Sequence, residues 1–248
     1  MIGIVVVSHS PALAEAAVGL ALEMAGDAPP PLRIAAGAAD GVTGTDAVAI
    51  ASAIDEVASA DGVLVLMDLG SAILSAGMAL EFASTAERVV LSPAPFVEGI
   101  VAAVVGAASG ASLDAVDAEA RRALDAKLGQ LAGATPTPTL ATPIADGPTA
   151  SFEAVVRNPS GLHARPAATF VKTAGRFGAE VTVSDVDSGK GPVSAASLVS
   201  LMALGVTQGT RVRVDARGDD AAAAARALEE LITAGFGELD LPNGAPSA

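Results

Sequence analysis

The sequence predicts an α/β protein in two parts: a mostly parallel sheet flanked by helices, followed by a small α+β open-faced sandwich. Three observations predict it. Short β-branched or aliphatic runs alternate with helical patterns through the first half of the 248 residues. A stretch rich in proline, threonine and alanine, residues 131–150, interrupts all periodicity. Beyond it the order changes to strand, helix, strand, strand, short helix, strand, helix. Alternation selects a parallel sheet with helices on both faces, whereas paired strands flanked by helices select a sheet covered on one face.

The first four strands are IGIVVV (2–7), LRIAA (32–36), GVLVLM (62–67) and RVVLS (88–92), with helical patterns at about 11–25, 46–59, 72–83, 96–108 and 112–128. After the interruption, strands are expected at 152–157, 179–185, about 190–193 and 210–215, and helices at 164–176, 195–203 and 219–234. The organisation is therefore a first domain over 1–130, a linker over 131–150, a second domain over 151–238 and a tail over 239–248. As a flexible coil, 20 such residues span roughly 25 Å, enough for the flanking domains to approach and separate.

Composition narrows the function. Hydrophobic residues make up 51% of the chain, with no tryptophan or tyrosine and six phenylalanines, so the cores rest on valine, leucine, isoleucine and an excess of alanine. A net charge of −14 argues against nucleic acid and anionic membranes as partners. The charge is uneven: residues 1–130 carry 16 acidic and 5 basic side chains, and residues 151–248 carry 11 and 9. The longest apolar candidate, 99–113, is too short to span a bilayer, and the opening MIGIVVVSHSPALAEA reads as a core strand rather than a leader, so no membrane insertion and a cytoplasmic location are expected. Absence of cysteine excludes disulfides and thiolate catalysis, and two distant histidines offer no basis for a metal site or cofactor.

Those two histidines, His9 and His163, each stand where a strand hands over to a helix among small residues. A neutral imidazole can take up a phosphoryl group and pass it on, which suggests two nucleophiles in series. In Asn158-Pro159-Ser160-Gly161-Leu162-His163-Ala164-Arg165-Pro166-Ala167, His163 occupies the cap position of a helix whose first turn tolerates Pro166. Histidine caps poorly, and the positive Arg165 opposes the helix dipole unless an anion is present, so the local penalty points to phosphoryl binding.

This segment, with FVKTAGRFGAEVTV, SAASLVSLMALGVTQGTRVRV and GDDAAAAARALEELITAGFGE after it, resembles HPr, the histidine phosphocarrier of the bacterial phosphoenolpyruvate-dependent phosphotransferase system, over 151–238. The resemblance implies phosphorylation of His163 by enzyme I, with Arg165 binding phosphate. Ser197 falls at the position of the regulatory serine of some HPr proteins, but Ala196 replaces the lysine common before it, and a plain helix-start serine is the alternative reading.

Around His9, Ser8 and Ser10 supply hydroxyls at a strand end, and the loops AAGAADGVTGTDA (35–47), MDLGSAILSAG (67–77) and SPAPFVEG (92–99) fall on the same predicted sheet edge. Thr45, Asp68, Gly70 and Ser71 are candidates to orient or bind the phosphoryl group. Asp68 is placed to fix the tautomer of His9 and leave its other nitrogen nucleophilic; the alternative is that Asp68 and Ser71 only cap the following helix.

These loops resemble the mannose-type IIA domain, and more closely the phosphotransferase subunit of phosphoenolpyruvate-dependent dihydroxyacetone kinase, over most of 1–125. Gly77 departs from the acidic residue expected there. The resemblance implies phosphorylation of His9, a homodimer through this domain, and a relay from phosphoenolpyruvate through a separate enzyme I to His163, then His9. The final acceptor it implies is ADP on the nucleotide-binding subunit of the kinase, which works with a dihydroxyacetone-binding subunit. Some family members carry a further enzyme I-like portion, to which nothing here corresponds. The chain has no G-x-x-x-x-G-K-[ST] loop, and Lys127, Lys172 and Lys190 lie off the predicted catalytic edge, so nucleotide is expected on the partner. The alternatives are an HPr–IIA component of a mannose-type sugar transporter and a regulatory module read out by its phosphorylation state.

Overall fold

In the computed structural model, residues 1–26, 28–38, 42–132 and 149–239 are described. The chain divides into two compact units, Met1–Asp125 and Ala126–Ala248.

The first unit is built on β1 (Gly3–Ser8), β2 (Leu32–Ala36), β3 (Val63–Met67) and β4 (Val89–Ser92). All neighbours run parallel, in the order β2-β1-β3-β4. Every residue of β1 and β3 is buried, so these two central strands read as continuous apolar runs. Successive side chains leave the sheet on opposite faces. Ile4, Val6, Leu64 and Leu66 join α1 (Pro11–Ala25), α4 (Phe96–Ala108) and α5 (Leu113–Arg121) on one face. Val5, Val7, Val63, Val65 and Met67 join α2 (Ala47–Val57) and α3 (Gly70–Phe82) on the other.

Alanine carries the helix contacts. Ala14, Ala17, Ala21 and Ala25 of α1 meet the same cluster as Ala103 and Ala107 of α4, and α3 buries only Ala72, Ala76 and Ala79. The helices thus present their backbones almost directly to their neighbours.

The second unit holds β5 (Thr149–Val155), β6 (Glu180–Asp185), β7 (Lys190–Ser194) and β8 (Arg211–Arg217), antiparallel in the order β5-β8-β6-β7. Along β8, Val212, Val214 and Ala216 are buried while Arg211, Arg213 and Arg217 are exposed, so one face is covered and the other open. The helices are α7 (Ala164–Ala174), α8 (Leu198–Ala203) and α9 (Ala221–Thr233).

Two expectations need correction. The helix expected over 112–128 is two helices, α5 and α6 (Asp125–Ala132). Between them Arg122, Ala123 and Asp125 donate to carbonyls three residues back, a tight turn closed by an Arg122–Asp125 ion pair at 3.3 Å, with neither glycine nor proline to announce it. The short helix expected from 195 begins at Leu198, because the Ser197 hydroxyl caps it by accepting from Ser200 N–H at 3.0 Å. Of the expected linker, residues 131–132 belong to α6 and residues 149–150 to β5, while residues 133–148, like the tail from 240 on, lie outside the described residues. No helix among the described residues is long and apolar enough to cross a membrane.

At Gly3, a Cβ would stand 2.3 Å from the carbonyl oxygen of Val57, where the end of α2 crosses the start of β1. Gly3→Ala is expected to lower the stability of the first unit by about 2 kcal/mol, because backbone rather than a flexible side chain must give way. A urea midpoint unchanged from wild type, followed by far-ultraviolet circular dichroism, contradicts this.

Candidate functional site

His9 lies between β1 and α1, and Asp68 between β3 and α3, at the carboxyl ends of two adjacent strands. This is the point where the strand order reverses direction, with β2 on one side of β1 and β3 on the other, and an open α/β sheet leaves its working crevice there. The turn out of β1 is held by Ser10, whose hydroxyl caps α1 by accepting from Leu13 N–H at 3.3 Å, with Pro11 at the first helical position. Gly44 N–H donates to the carbonyl of His9 at 3.1 Å, tying the loop before α2 to the same place.

The Asp68 carboxylate is surrounded by donors. Its Oδ2 accepts from the His9 backbone N–H at 2.8 Å and from the buried Ser8 hydroxyl at 2.9 Å. Its Oδ1 accepts from Leu69 N–H at 2.6 Å and lies 2.9 Å from His9 Nδ1. A carboxylate can only accept, so Nδ1 carries the proton and the lone pair is on Nε2. There, Ser71 Oγ stands at 2.7 Å, so its hydroxyl donates to Nε2. The His9 side chain is 20% exposed against 6% for Asp68: the carboxylate is sealed and the ring is partly open to solvent.

Burial pushes the Asp68 carboxyl up, but hydrogen bonds from the His9 backbone, the His9 ring, Ser8 and Leu69 together outweigh it and hold its pKa below the ordinary 3.8. No side chain caps α3, which starts at Gly70, an exposed residue with open space around its Cβ position. Thr45, half-buried before α2, shares a 2.7 Å hydrogen bond with Ser75, one turn beyond Ser71 on α3. Ser75 was legible in the SAILSA run only through that four-residue spacing. Gly77 is exposed, with open space where a side chain would go. Among the described residues, no three His, Cys, Asp or Glu side chains gather as a metal site would require.

His163 is the N-cap of α7, in extended conformation and with no side-chain cap hydrogen bond, and Arg165 is in the first turn, half-buried. The His163 ring is 41% exposed at the side chain, and its Nε2 faces Glu238 Oε1 at 3.1 Å and Oε2 at 3.3 Å. Asn158, fully buried, donates from Nδ2 to Glu238 Oε2 at 3.0 Å and to Gly161 O at 2.5 Å. Neither Glu238 nor Asn158 was singled out as a site residue. Glu238 is 75 residues from His163, and no spacing rule connects them. Ser197 caps α8 and donates its hydroxyl proton to Ser200 Oγ at 2.7 Å.

The sign of the Asp68 effect fixes a pH dependence. A carboxyl whose folded pKa is depressed contributes stability that is complete above its unfolded pKa and is lost as pH falls through the folded value. The stability difference between wild type and Asp68→Asn is therefore expected to be constant near neutrality and to shrink as pH drops below about 4. Urea titrations at a series of pH values measure it, and a difference that stays constant into the acid range contradicts the assignment.

Two family models match the chain in succession. The one described as the PTS system fructose IIA component, of the mannose IIA type, covers residues 3–117, and the one described as the PTS HPr component phosphorylation site covers 150–234. A PEP-dependent dihydroxyacetone kinase phosphoryl donor subunit, DhaM, of Klebsiella michiganensis is 40% identical over 246 residues, covering 96% of this chain and 51% of that protein. Its counterpart in Escherichia coli K12 is 39% identical over 246 residues, covering 97% of this chain and 52% of that protein. An HPr structure from Thermoanaerobacter tengcongensis is 42% identical with a TM-score of 0.34, over 36% of this chain and 97% of that one. The chain spans about half the length of the curated relatives it matches. With two family models matched in succession and about 40% identity across nearly its whole length, the chain is similar to DhaM phosphoryl donor subunits, a mannose-type IIA match being followed by an HPr match.

Proposed function

We propose that this chain relays phosphoryl groups from enzyme I to His163, from there to His9, and from His9 to ADP held on the nucleotide-binding subunit of a dihydroxyacetone kinase. The observation that carries the reading is the His9 imidazole, with Nδ1–H committed to Asp68 and the Nε2 lone pair facing outward beside Ser71. At each transfer between histidines one P–N bond breaks as another forms, at the last a P–N bond breaks as a P–O bond to ADP forms, and each time the departing imidazole recovers its lone pair. At His9, Nε2 attacks phosphorus, the ring becomes positively charged, and the Asp68 carboxylate stands against that charge. The Ser71 hydroxyl then turns from the nitrogen to a phosphoryl oxygen, with Ser8 and Ser10 holding the loop and Thr45 with Ser75 lining the rim.

In the last step a terminal phosphate oxygen of ADP takes the group, forming ATP on the partner, and Nε2 is free again. The dihydroxyacetone-binding subunit presents the sugar, which this chain does not touch. The homodimer through the first domain and the cytoplasmic location belong to the same reading. Domain limits at 1–130 and 151–238, joined by a tether over 131–150, would let the second domain alternate between enzyme I and His9.

With enzyme I, labelled phosphoenolpyruvate, the kinase subunits and dihydroxyacetone, His163→Ala is expected to leave both histidines unlabelled. His9→Ala is expected to retain label on His163 and abolish dihydroxyacetone phosphate. Undiminished product with His9→Ala, or transfer to a IIB transporter protein in place of the kinase, overturns the assignment. For the tether, the two domains made separately are expected to exchange label more slowly on dilution than the intact chain, because the effective concentration, about millimolar for a short flexible linker, is lost. Equal slowing of both contradicts it.

A further inference from the structure

The first turn of α3 carries Ser71 to His9, yet little in the helix itself holds it there. The helix starts without a side-chain cap, Gly70 beside Ser71 is exposed, and the residues it buries are Ala72, Ala76 and Ala79. Interlocking ridges of side chains are what resist the sliding or rotation of one element on another, and single methyl groups raise only shallow ones. Ser71 Oγ nevertheless stands 2.7 Å from His9 Nε2. A contact of that length needs a lateral tie.

We propose that the hydrogen bond between Thr45 and Ser75 is that tie, the two being positioning residues that hold the Ser71 hydroxyl on the Nε2 of His9. The role rests on the phosphorylation of His9 described above. The two hydroxyls are 2.7 Å apart and partly buried, and either can be the donor. Ser75 lies one turn beyond Ser71, so both stand on one face of α3 and move together. Thr45 is fixed from the other side. Gly44 before it donates its N–H to the His9 carbonyl at 3.1 Å, and Asp46 after it caps α2 by accepting from Val48 N–H at 2.8 Å and Ala49 N–H at 3.2 Å.

These contacts close a circuit that begins and ends on one residue. From the His9 carbonyl it runs through Gly44 to Thr45, across to Ser75, back one turn to Ser71, and returns to the His9 ring. A displacement of α3 that carries Ser71 away from Nε2 therefore also breaks the bond to Thr45. The contact from Asp68 to Nδ1 lies outside the circuit, so the tautomer and the hydroxyl are governed separately. What the tie governs is the moment of transfer. As phosphorus bonds to Nε2 and leaves the donor's nitrogen, the Ser71 hydroxyl gives up the ring lone pair for a phosphoryl oxygen, and it can serve both only from a fixed place between them.

The test uses the full chain labelled with 15N-histidine, whose two imidazoles are assigned with His163→Ala. Thr45→Val, which keeps the side-chain shape and removes the hydroxyl, is expected to leave His9 as the Nδ1–H tautomer but to move its Nε2 signal toward the position found in Ser71→Ala. Ser75→Ala should do the same, and Thr45→Ser, which retains the hydroxyl, should restore the wild-type signal. With enzyme I and labelled phosphoenolpyruvate, Thr45→Val is expected to label His163 at the wild-type rate and to pass the group to His9 about tenfold more slowly. That is less than the ~10² of a full ångström of misplacement, because α3 keeps its alanine contacts. In the Ser71→Ala background Thr45→Val should add no further loss, since a tie acting through Ser71 has nothing left to position. A Thr45→Val chain with the wild-type Nε2 signal, or a loss that simply adds to that of Ser71→Ala, overturns the role while leaving the relay intact. A wild-type chain whose His9 takes no label from His163 overturns the relay, and this role with it.

Discussion

The hydrogen-bond saturation of one carboxylate organises the first domain's site. Asp68 takes two backbone N–H groups, one hydroxyl and one ring nitrogen, and these come from both sides of the junction between β1 and β3. Because every partner is a donor, the proton on His9 has one place to be, and the chemistry of the ring follows. Removing Asp68 would release the ring, the end of β1 and the approach to α3 together. Electrostatics and backbone geometry are here one constraint, met by a side chain that barely touches solvent.

The second domain solves the same problem from other materials. Its imidazole is more exposed, it sits at the cap of a helix rather than between a strand and a helix, and its carboxylate arrives from the far end of the sequence. The carboxylates contact different nitrogens, Nδ1 in His9 and Nε2 in His163. The nitrogen turned away from the carboxylate is therefore Nε2 in His9 and Nδ1 in His163.

Much of this was readable from the residues. The β-branched runs ended by Gly, Ser or Asp located the parallel strands, and topology then required His9, Thr45 and Asp68 to share one sheet edge. The break between α5 and α6 was not readable, because tight hydrogen bonding at Arg122 to Asp125 interrupts a sequence whose periodicity continues. Glu238 was not readable either. GFGE looks like a frayed end until the left-handed path of Phe236 is known, and a contact across 75 residues leaves no local pattern. Nor could Asp68 be separated from a simple helix cap without knowing that α3 starts uncapped and that the carboxylate points to His9 instead.

The alanine contacts between α1 and α4, and beneath α3, also determine how this protein tolerates change. Cores of leucine and phenylalanine are damaged mainly by truncation, which leaves holes. At these alanines little remains to truncate, so the characteristic injury is enlargement: a single added methylene has no void to occupy and must separate two backbones. Sequence drift in the first domain is thus limited by volume at positions such as Ala14, Ala103 and Ala76, where even a conservative apolar change would act as a wedge.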